Sequence, residues 1–334
     1  GEYVTRYLQE RGLETKMITN PGQSEHLQTT TVYIMGMPID INSLRAEEYE
    51  TGSRIPTIRK GTPLEDCLRR DFTINCLFYR VADGAVEDFT MGLDDLRNRC
   101  IRTPINPVKS FFDDPLRVFR CVRFSSRFGF TIEKETWAAM HTPGLVEAMV
   151  KVKKSRRMHE YEGILESGRA SYGLHVLSHC GLLHEVLENE HVLSIKWESI
   201  EHDGLRLSYI CESFYASMVE KFVGEENMYM VIAALFYELR NDVYKQKNKQ
   251  FSVVSSLIID SLKLTARERD AVSKIYEGLA LLAAEEASTR LQYGRVLLKC
   301  REYWRQTLII NAALRADCTL PEVPSPSYRA TVES

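Results

Sequence analysis

The chain of 334 residues is long enough for two or three domains with a sizeable core, which excludes a small scaffold held together by disulfides. With 44% hydrophobic and 27% charged residues, it is neither collagen-like nor wholly disordered. Its 43 basic and 46 acidic residues nearly balance, at a formal charge of -3, so nucleic-acid binding would depend on a local basic surface.

The first hundred residues alternate helix and strand patterns. A short amphipathic helix is predicted to stop at Gly12. Strands are predicted at residues 30–35 and 39–44, joined by a turn at residues 36–38. A second hairpin is predicted to pair residues 78–81 with 86–89. This part of the chain is therefore expected to be mixed α and β.

Between the two hairpins, Thr62 and Glu65 form a predicted capping box with a proline at the first helical position. The helix that begins there is predicted to carry four polar residues, Arg69, Arg70, Asp71 and Asn75.

From about Phe111 onward the periodicity is helical, and no strand is predicted. Helix-length segments lie near residues 115–128, 172–187, 205–222, 227–240, 251–263, 266–287 and 289–315. Residues 229–237 are apolar nearly all round, which predicts a helix buried inside a bundle. Residues 321–334 are rich in Pro and Ser and are predicted to be disordered.

Cysteine spacing, apolar stretches and the first residue bear on location. The eight cysteines show no Cys-x-x-Cys pair or zinc-type spacing, which is typical of free thiols in a reducing compartment. The longest apolar stretch, residues 228–236, is too short for a membrane-spanning helix. Because the chain begins with Gly1, we expect its true amino terminus and any targeting segment to be missing. An intracellular protein is predicted, with cytoplasm, nucleus and mitochondrion left open.

A basic stretch runs from Arg97 to Arg127. Arginine binds phosphate through paired hydrogen bonds, so a triphosphate or an RNA backbone is one interpretation, and pairing with Glu65-Asp66 and Asp94-Asp95 is the other. Asp114 likewise has two interpretations. It is either the N-cap of the helix that follows Pro115 or, with Arg117 one turn later, a reader of the edge of a nucleotide base.

An ordered set of segments resembles the class II tRNA nucleotidyltransferases, the CCA-adding enzymes, and their relatives the bacterial-type poly(A) polymerases. The resemblance covers about residues 20–165 and rests on the segments SEHL (24–27), IDINSLR (39–45), SRIP (53–56), RRDFTIN (69–75), EDFT (87–90), GLDDL (92–96), IRTP (101–104), DDPLR (113–117) and RFSSRFGF (123–130). It implies template-independent addition of C, C and A to tRNA 3′ ends from CTP and ATP.

The resemblance also implies an α+β fold in which part of a polymerase-β-type nucleotidyltransferase head, a mixed sheet with helices, precedes an all-α neck, body and tail. Accordingly, residues 1–104 are expected to form an N-terminally truncated head. Residues 105–190 are expected to form a neck that binds nucleotide and RNA, residues 191–320 a tRNA-binding body and tail, and residues 321–334 a disordered tail.

Site residues follow from the resemblance at matching positions. The resemblance implies that Arg70 contacts the incoming nucleotide and that Asp71 and Asn75 shape the same site. Asp114 and Arg117 are implied to read the base of CTP and then ATP, which favours the base-reader interpretation of Asp114 over the cap. The resemblance implies that Arg120 and Arg123 contact the phosphates.

Two departures from the family pattern matter. A Gly-Gly-x-Val-Arg-Asp stretch and an Asp-x-Asp pair, which hold two Mg²⁺ ions in the family, are absent from this sequence. The chain alone is therefore expected to be inactive. Asp40, on a predicted strand, is either a third metal carboxylate or an exposed strand residue.

The second departure is KVKKSRR at residues 151–157, where relatives usually have Lys-Val-Ser-x-Glu-Arg-Ile. The extra cations predict contacts to tRNA phosphates or a solvated helix face. The predicted RNA contacts are Lys151, Lys153, Lys154, Arg156 and Arg157.

The sequence leaves three alternative functions open. The leading hypothesis is a CCA-adding enzyme that uses Mg²⁺, CTP, ATP and tRNA. The alternatives are a poly(A) polymerase of the same family and an RNA-binding protein without catalysis. The sequence does not indicate which oligomeric state the protein adopts.

Overall fold

The computed structural model describes residues 2–18, 29–48, 57–189, 197–218, 225–283 and 290–316. The chain divides into two compact units. The first contains residues 1–98 and 102–114, and the second contains residues 99–101 and 115–334. The first unit therefore runs beyond the predicted head boundary at residue 104, while the division of the helical part at residue 190 stays a prediction.

The first unit is mixed α and β, as predicted. Its elements are α1 (Glu2–Gln9), β1 (Thr15–Ile18), β2 (Thr29–Ile34), β3 (Met37–Ile41), β4 (Arg45–Glu48), β5 (Thr57–Lys60), α2 (Pro63–Leu68), β6 (Leu77–Arg80), β7 (Ala85–Asp88), α3 (Gly92–Arg97) and α4 (Pro107–Asp113). Strands β1, β2 and β3 form an antiparallel sheet, and β4–β5 and β6–β7 form separate antiparallel pairs.

The turn between β2 and β3 lies earlier than predicted. Met35 and Gly36 occupy it, both with positive φ, at 54° and 78°. Two left-handed residues match the right-handed twist of the flanking strands, so the turn takes this pair and Pro38 joins β3 opposite Tyr33. The hairpin of β6 and β7 is confirmed, with Phe78 opposite Glu87.

The capping box is confirmed, because Thr62 Oγ1 accepts the Glu65 N–H at 3.3 Å and Glu65 Oε2 accepts the Thr62 N–H at 2.8 Å. The prediction that this helix carries the polar residues after it was wrong. Helix α2 ends at Leu68, and the chain then makes a short 3₁₀ turn over Thr73–Asn75.

The second unit is largely helical. Its elements are β8 (Cys100–Ile101), α5 (Leu116–Phe128), β9 (Thr131–Ile132), α6 (Lys134–Ala139), α7 (Leu145–Val150), α8 (Lys154–Leu165), α9 (Ala170–His179), α10 (Leu182–Leu187), α11 (Leu205–Met218), α12 (Glu225–Leu235), β10 (Val243–Gln246), β11 (Lys249–Ser252), α13 (Val253–Ser256), α14 (Ala266–Ala283), α15 (Arg290–Cys300) and α16 (Trp304–Arg315).

The expectation of no strands after Phe111 was wrong at two places. Strand β9 pairs in parallel with β8, and β10 and β11 form an antiparallel hairpin inside the helical unit. The predicted helix over residues 172–187 is also divided, because Gly181 adopts a left-handed conformation between α9 and α10 with φ 69°.

Two helices form much of the core of the second unit. Helix α5 packs against α8 and α9, and α12 packs against α11, α14 and α16. Residues 228–236 are all buried, which confirms the predicted core helix up to the end of α12, whereas Tyr237, the last residue of the prediction, is half-buried in a 3₁₀ turn. The apolar surface that they remove from water is the main stabilising contribution of such a bundle.

The cysteines and the apolar stretches bear on two further predictions. The seven described cysteines are free thiols, as predicted. Within the described ranges, no helix combines the length and apolar character needed to cross a bilayer. The SEHL and SRIP segments and the predicted disordered tail lie outside the described residues.

Candidate nucleotide-binding and RNA-binding residues

In the first unit, the Arg-Arg-Asp segment is built around Asp66, whose side chain is 1% exposed. Asp66 Oδ2 accepts hydrogen bonds from Arg70 Nε at 2.9 Å and Nη2 at 2.7 Å, and its Oδ1 accepts one from Arg69 Nε at 3.0 Å. Arg70 Nη1 donates to the carbonyl oxygen of Asn75 at 2.6 Å. Asp66 therefore fixes Arg70, while 31% of the Arg70 side chain stays exposed.

The protonation of Asp66 reflects two opposed effects. Burial alone would raise the pKa of this carboxyl, but hydrogen bonds from Arg69 and Arg70 outweigh burial and lower the pKa below its ordinary value. The ionised carboxylate is thus the form that the folded unit favours.

Asp71 and Asn75 lie beside this cluster. Asp71 is buried, and its Oδ1 accepts hydrogen bonds from the Phe72 N–H and from Asn75 Nδ2, both at 2.9 Å. The structure thus brings together the three residues that the sequence predicted for one site, Arg70, Asp71 and Asn75.

The 3₁₀ turn that holds Asn75 is supported by the segment 92–96. Thr73 Oγ1 donates to Asp95 Oδ2 at 2.7 Å, and the Thr73 N–H donates to the Arg102 carbonyl oxygen at 2.9 Å. A Cβ on Gly92 would lie 2.3 Å from the Thr73 carbonyl oxygen. Glycine is therefore required at position 92 for this close approach.

Asp40 lies on β3 and is exposed, with Thr31 Oγ1 donating to its Oδ1 at 2.7 Å. Among the described residues, no group of three or more Asp, Glu, His or Cys side chains is placed to hold a metal ion. This part of the chain does not by itself fit a two-metal centre, and Asp40 stays a prediction as a single carboxylate.

The two predicted base readers lie on either side of the unit boundary. Asp114 is the extended residue after α4, and Arg117 lies in the first turn of α5 with 7% of its surface exposed. Pro115, which directly precedes α5, has helical backbone angles and no side-chain acceptor, so both interpretations of Asp114 stay predictions.

Within the second unit, Glu160 of α8 joins two predicted phosphate contacts on α5. Glu160 Oε1 accepts from Arg120 Nη1 at 3.2 Å, and its Oε2 accepts from Arg123 Nε at 2.5 Å. The Glu160 side chain is 6% exposed, against 32% for Arg120 and 18% for Arg123. One buried carboxylate therefore holds both of these arginines of α5.

Gly163, one turn beyond Glu160, leaves room for the Arg123 side chain to pass α8. A Cβ at Gly163 would lie 2.6 Å from Arg123 Cδ, and the Arg123 guanidinium lies 4.6 Å from the ring centre of Phe124. Helix α8 therefore both anchors and makes room for the arginine of α5.

The cationic segment 151–157 requires a correction. Lys151, Lys153 and Arg156 are exposed, whereas Arg157 is buried and forms an ion pair with Glu185 of α10. Burial lowers the pKa of Arg157. With 7% of its side chain exposed and its guanidinium paired with Glu185, Arg157 is part of the core rather than a surface residue.

Lys153 and Lys154 begin helix α8. Lys153 is its N-cap residue and makes no side-chain capping bond, in a place where relatives usually have the good capping residue Ser. Lys154 Nζ donates to the Asp260 carbonyl oxygen at 3.4 Å.

The alternative pairing of the basic stretch holds for some of its members. Arg97 pairs with Asp94 at 2.9 Å, and Arg102 pairs with Asp95 at 3.2 Å. Sequence reasoning did not assign Asp66 to Arg70, Glu160 to Arg120 and Arg123, or Glu185 to Arg157. A signal existed for Asp66, three and four residues before its arginines, but none for Glu160 or Glu185.

Two family models match the chain. A Poly A polymerase head domain model matches residues 2–102, and a model described as a probable RNA and SrmB-binding site of polymerase A matches residues 129–191. The matched ranges leave out α5, with its predicted phosphate contacts, and everything after residue 191.

Three other proteins are similar to the chain over most of its length. The tRNA nucleotidyltransferase cca1 of Schizosaccharomyces pombe is 32% identical over 88% of this chain, and the mitochondrial CCA tRNA nucleotidyltransferase of Saccharomyces cerevisiae is 31% identical over 83%. The Bacillus stearothermophilus CCA-adding enzyme, solved with CTP, shares the fold with a TM-score of 0.61 and 23% identity over 90% of this chain. The chain spans 63%, 57% and 65% of these three proteins. By both models and by these relatives, the chain is similar to the tRNA nucleotidyltransferases and poly(A) polymerases.

Proposed function

We propose that this chain supplies the base-selecting and tRNA-binding part of a tRNA nucleotidyltransferase, which adds C, C and A to tRNA 3′ ends from CTP and ATP. The observation that carries this proposal is that two predicted nucleotide-contact sets each have their arginines fixed by a buried carboxylate, Asp66 in one and Glu160 in the other. Fixed guanidinium groups suit phosphate recognition, because their hydrogen-bonding geometry is set before the ligand arrives.

Each set has a proposed task. Arg70, with Asp71 and Asn75, contacts the incoming nucleotide, and Arg120 and Arg123 bind its phosphates. Glu160 holds both guanidinium groups on the same side of α5, which suits contacts to neighbouring phosphate oxygens.

Asp114 and Arg117 are proposed to read the base. A carboxylate accepts hydrogen bonds from an exocyclic amino group, and a guanidinium donates to ring nitrogens or carbonyl oxygens. Cytosine and adenine carry an amino group in the place where uracil and guanine carry a carbonyl, so a carboxylate favours CTP and ATP.

Bound Mg²⁺ would supply activation of the primer 3′-OH and stabilisation of the charge on the phosphates. Asp40 is the proposed contribution of this chain to the ligands. No further step is assigned to the metal, because the described residues do not complete its site. An intracellular location is part of the proposal, because tRNA is the substrate.

Nucleotide choice tests the assignment. We expect the chain to bind CTP and ATP in preference to UTP and GTP in calorimetric titrations, and Asp114→Ala to reduce this preference by about 1 to 3 kcal/mol for the lost hydrogen-bonding group. Asp113→Ala is the matched control, because Asp113 pairs with Lys109 at 2.7 Å. A preference unchanged in Asp114→Ala would refute base reading by this residue.

Product length separates the three functions. The protein translated from the whole open reading frame should extend a tRNA lacking CCA by three nucleotides and stop, in the presence of Mg²⁺, CTP and ATP. The poly(A) polymerase head match favours a second candidate, which would produce a long ladder from ATP alone. Absence of any extension would favour RNA binding without catalysis. The 334-residue chain itself should give no extension, as it has no Asp-x-Asp pair.

A further inference from the structure

A lysine-rich hairpin projects from the helical unit at β10 and β11. Tyr244 pairs with Phe251, Lys245 with Gln250, and Gln246 with Lys249. Lys247 and Asn248 form the two-residue turn. All residues from 245 to 251 are exposed. The hairpin lies outside both matched family models and outside the segments that carry the family resemblance.

The charge of the hairpin is concentrated and unbalanced. Lys245 and Lys249 lie on opposite faces, since successive residues of a strand alternate, and Lys247 lies at the tip. Within the described part of the chain, none of these three lysines forms an ion pair with a carboxylate. Three ammonium groups therefore surround one exposed tip.

The backbone of the tip disfavours lysine at position 247. Lys247 and Asn248 both have positive φ, at 45° and 62°. Asn and Gly adopt this conformation readily, whereas Lys does so at a cost. The sequence has the favourable residue at position 248 and the unfavourable cation at position 247. A strained residue on an exposed surface is a reason to look for a functional contact.

An aromatic pair stiffens the base of the hairpin. The rings of Tyr244 and Phe251 stack with centres 5.7 Å apart and planes 27° apart. Cross-strand aromatic pairs stabilise a two-stranded ribbon, which is otherwise marginal in water. The lysines are thus carried on an ordered ribbon rather than on a loose loop.

We propose that this hairpin, residues 243–252, is an RNA contact surface in which Lys245, Lys247 and Lys249 bind backbone phosphates. The proposal rests on the proposed function for the identity of the RNA, a tRNA. Because lysine contacts phosphates as a point charge, the hairpin should add affinity without sequence preference.

Neutralisation of the three lysines tests the proposal. We compare Lys245→Gln, Lys247→Gln and Lys249→Gln in one variant with a control that loses the same charge from exposed lysines elsewhere, Lys60→Gln, Lys263→Gln and Lys299→Gln. Binding of a labelled tRNA, of an unrelated RNA duplex and of phosphatidylserine vesicles is measured from 50 to 300 mM KCl.

The hairpin variant should bind tRNA about tenfold more weakly, and its log Kd against log salt slope should fall by about two to three, since each phosphate contact contributes a little under one. The control should match the wild type. Equal behaviour of the two variants overturns the hairpin proposal while tRNA binding by the wild type leaves the proposed function standing. A hairpin effect on vesicle binding alone also overturns it, in favour of a membrane contact.

The RNA duplex separates the two proposals. A hairpin-dependent affinity for the duplex, with none for tRNA, supports the hairpin as an RNA contact and refutes the proposed function. No RNA binding by the wild type refutes both proposals.

A single substitution separates folding from binding. Lys247→Asn places a residue that tolerates positive φ at the tip, so its thermal midpoint should equal or exceed that of the wild type. Its tRNA salt slope should nevertheless fall by about one. An unchanged slope in this well-folded variant would overturn the role of Lys247.

Discussion

Replacement of Glu160 by Gln tests how the arginines of α5 are held. The substitution keeps the size of the side chain but removes its charge and one of its two acceptor oxygens. Arg120 and Arg123 each donate to a different oxygen of Glu160. A glutamine amide can accept from one of them only, while its NH₂ group faces the donor of the other.

The magnitude follows from burial. Removal of one partner of a fully buried ion pair costs about 3 to 5 kcal/mol. The arginine side chains reach solvent with 32% and 18% of their surface, so water relieves part of the unpaired charge. We therefore expect Glu160→Gln to reduce the free energy of unfolding by about 2 to 3 kcal/mol, which is a factor of tens to a hundred or more in the unfolding equilibrium.

Hydrogen exchange of the α5 and α8 amides, followed by mass spectrometry, measures this loss in the second unit directly. Glu162→Gln is the control, since Glu162 is exposed on the same helix and should change stability by less than about 0.5 kcal/mol. Arg123→Gln should cost less in the Glu160→Gln background than alone, because the two share one interaction. Equal protection in Glu160→Gln and Glu162→Gln would refute the anchoring role.

Three further predictions concern other parts of the chain. Gly92→Ala should destabilise the first unit by about 2 kcal/mol or more, because its Cβ would overlap the Thr73 carbonyl oxygen; Gly294→Ala, with open space at its Cβ, should be neutral or stabilising in the same urea titration. Lys153→Ser should raise stability by about 1 kcal/mol by capping α8, seen as a higher thermal midpoint, and no gain would show that the helix start is satisfied otherwise. Burial raises the pKa of Glu212 despite hydrogen bonds from Ser171 and Asn227, so the folded protein holds this proton more tightly than the unfolded chain. The stability of the wild type relative to Glu212→Gln should therefore fall as pH rises above about 4.5, and a flat difference across pH 4 to 7 would contradict the assignment.

Local signals predicted the parts of the fold that depend on near neighbours. The capping box at Thr62 and Glu65 needs only residues three apart, and the hairpin of β6 and β7 needs a short turn between two apolar runs. The buried part of α12 was readable because residues 229–235 are apolar on every face. In each case the determining contacts lie within a few residues, where patterns are informative.

The strands β10 and β11 were missed because their polar alternation carries little hydrophobic signal, and the Lys-Asn turn is an uncommon form of the Asn-Gly hairpin turn. Arg157 was misassigned because a run of cations suggests a solvated face. Its partner Glu185 lies on α10, far along the chain, and only the tertiary fold reveals that the position is a core site.

The same difference between local signals and contacts made by the tertiary fold holds for the site residues. Motif matching located Arg70 and Arg123, but the residues that fix them are Asp66 on a neighbouring turn and Glu160 on another helix. The proposed nucleotide-contact groups are therefore parts of buried ion clusters as well as surface groups. A substitution of either arginine leaves a buried carboxylate with one fewer donor, so any expected loss of nucleotide binding would include reorganisation of the cluster. Arg123→Lys illustrates the consequence: a lysine keeps the charge but lacks the Nε that donates to Glu160, so retained charge alone should not retain phosphate affinity.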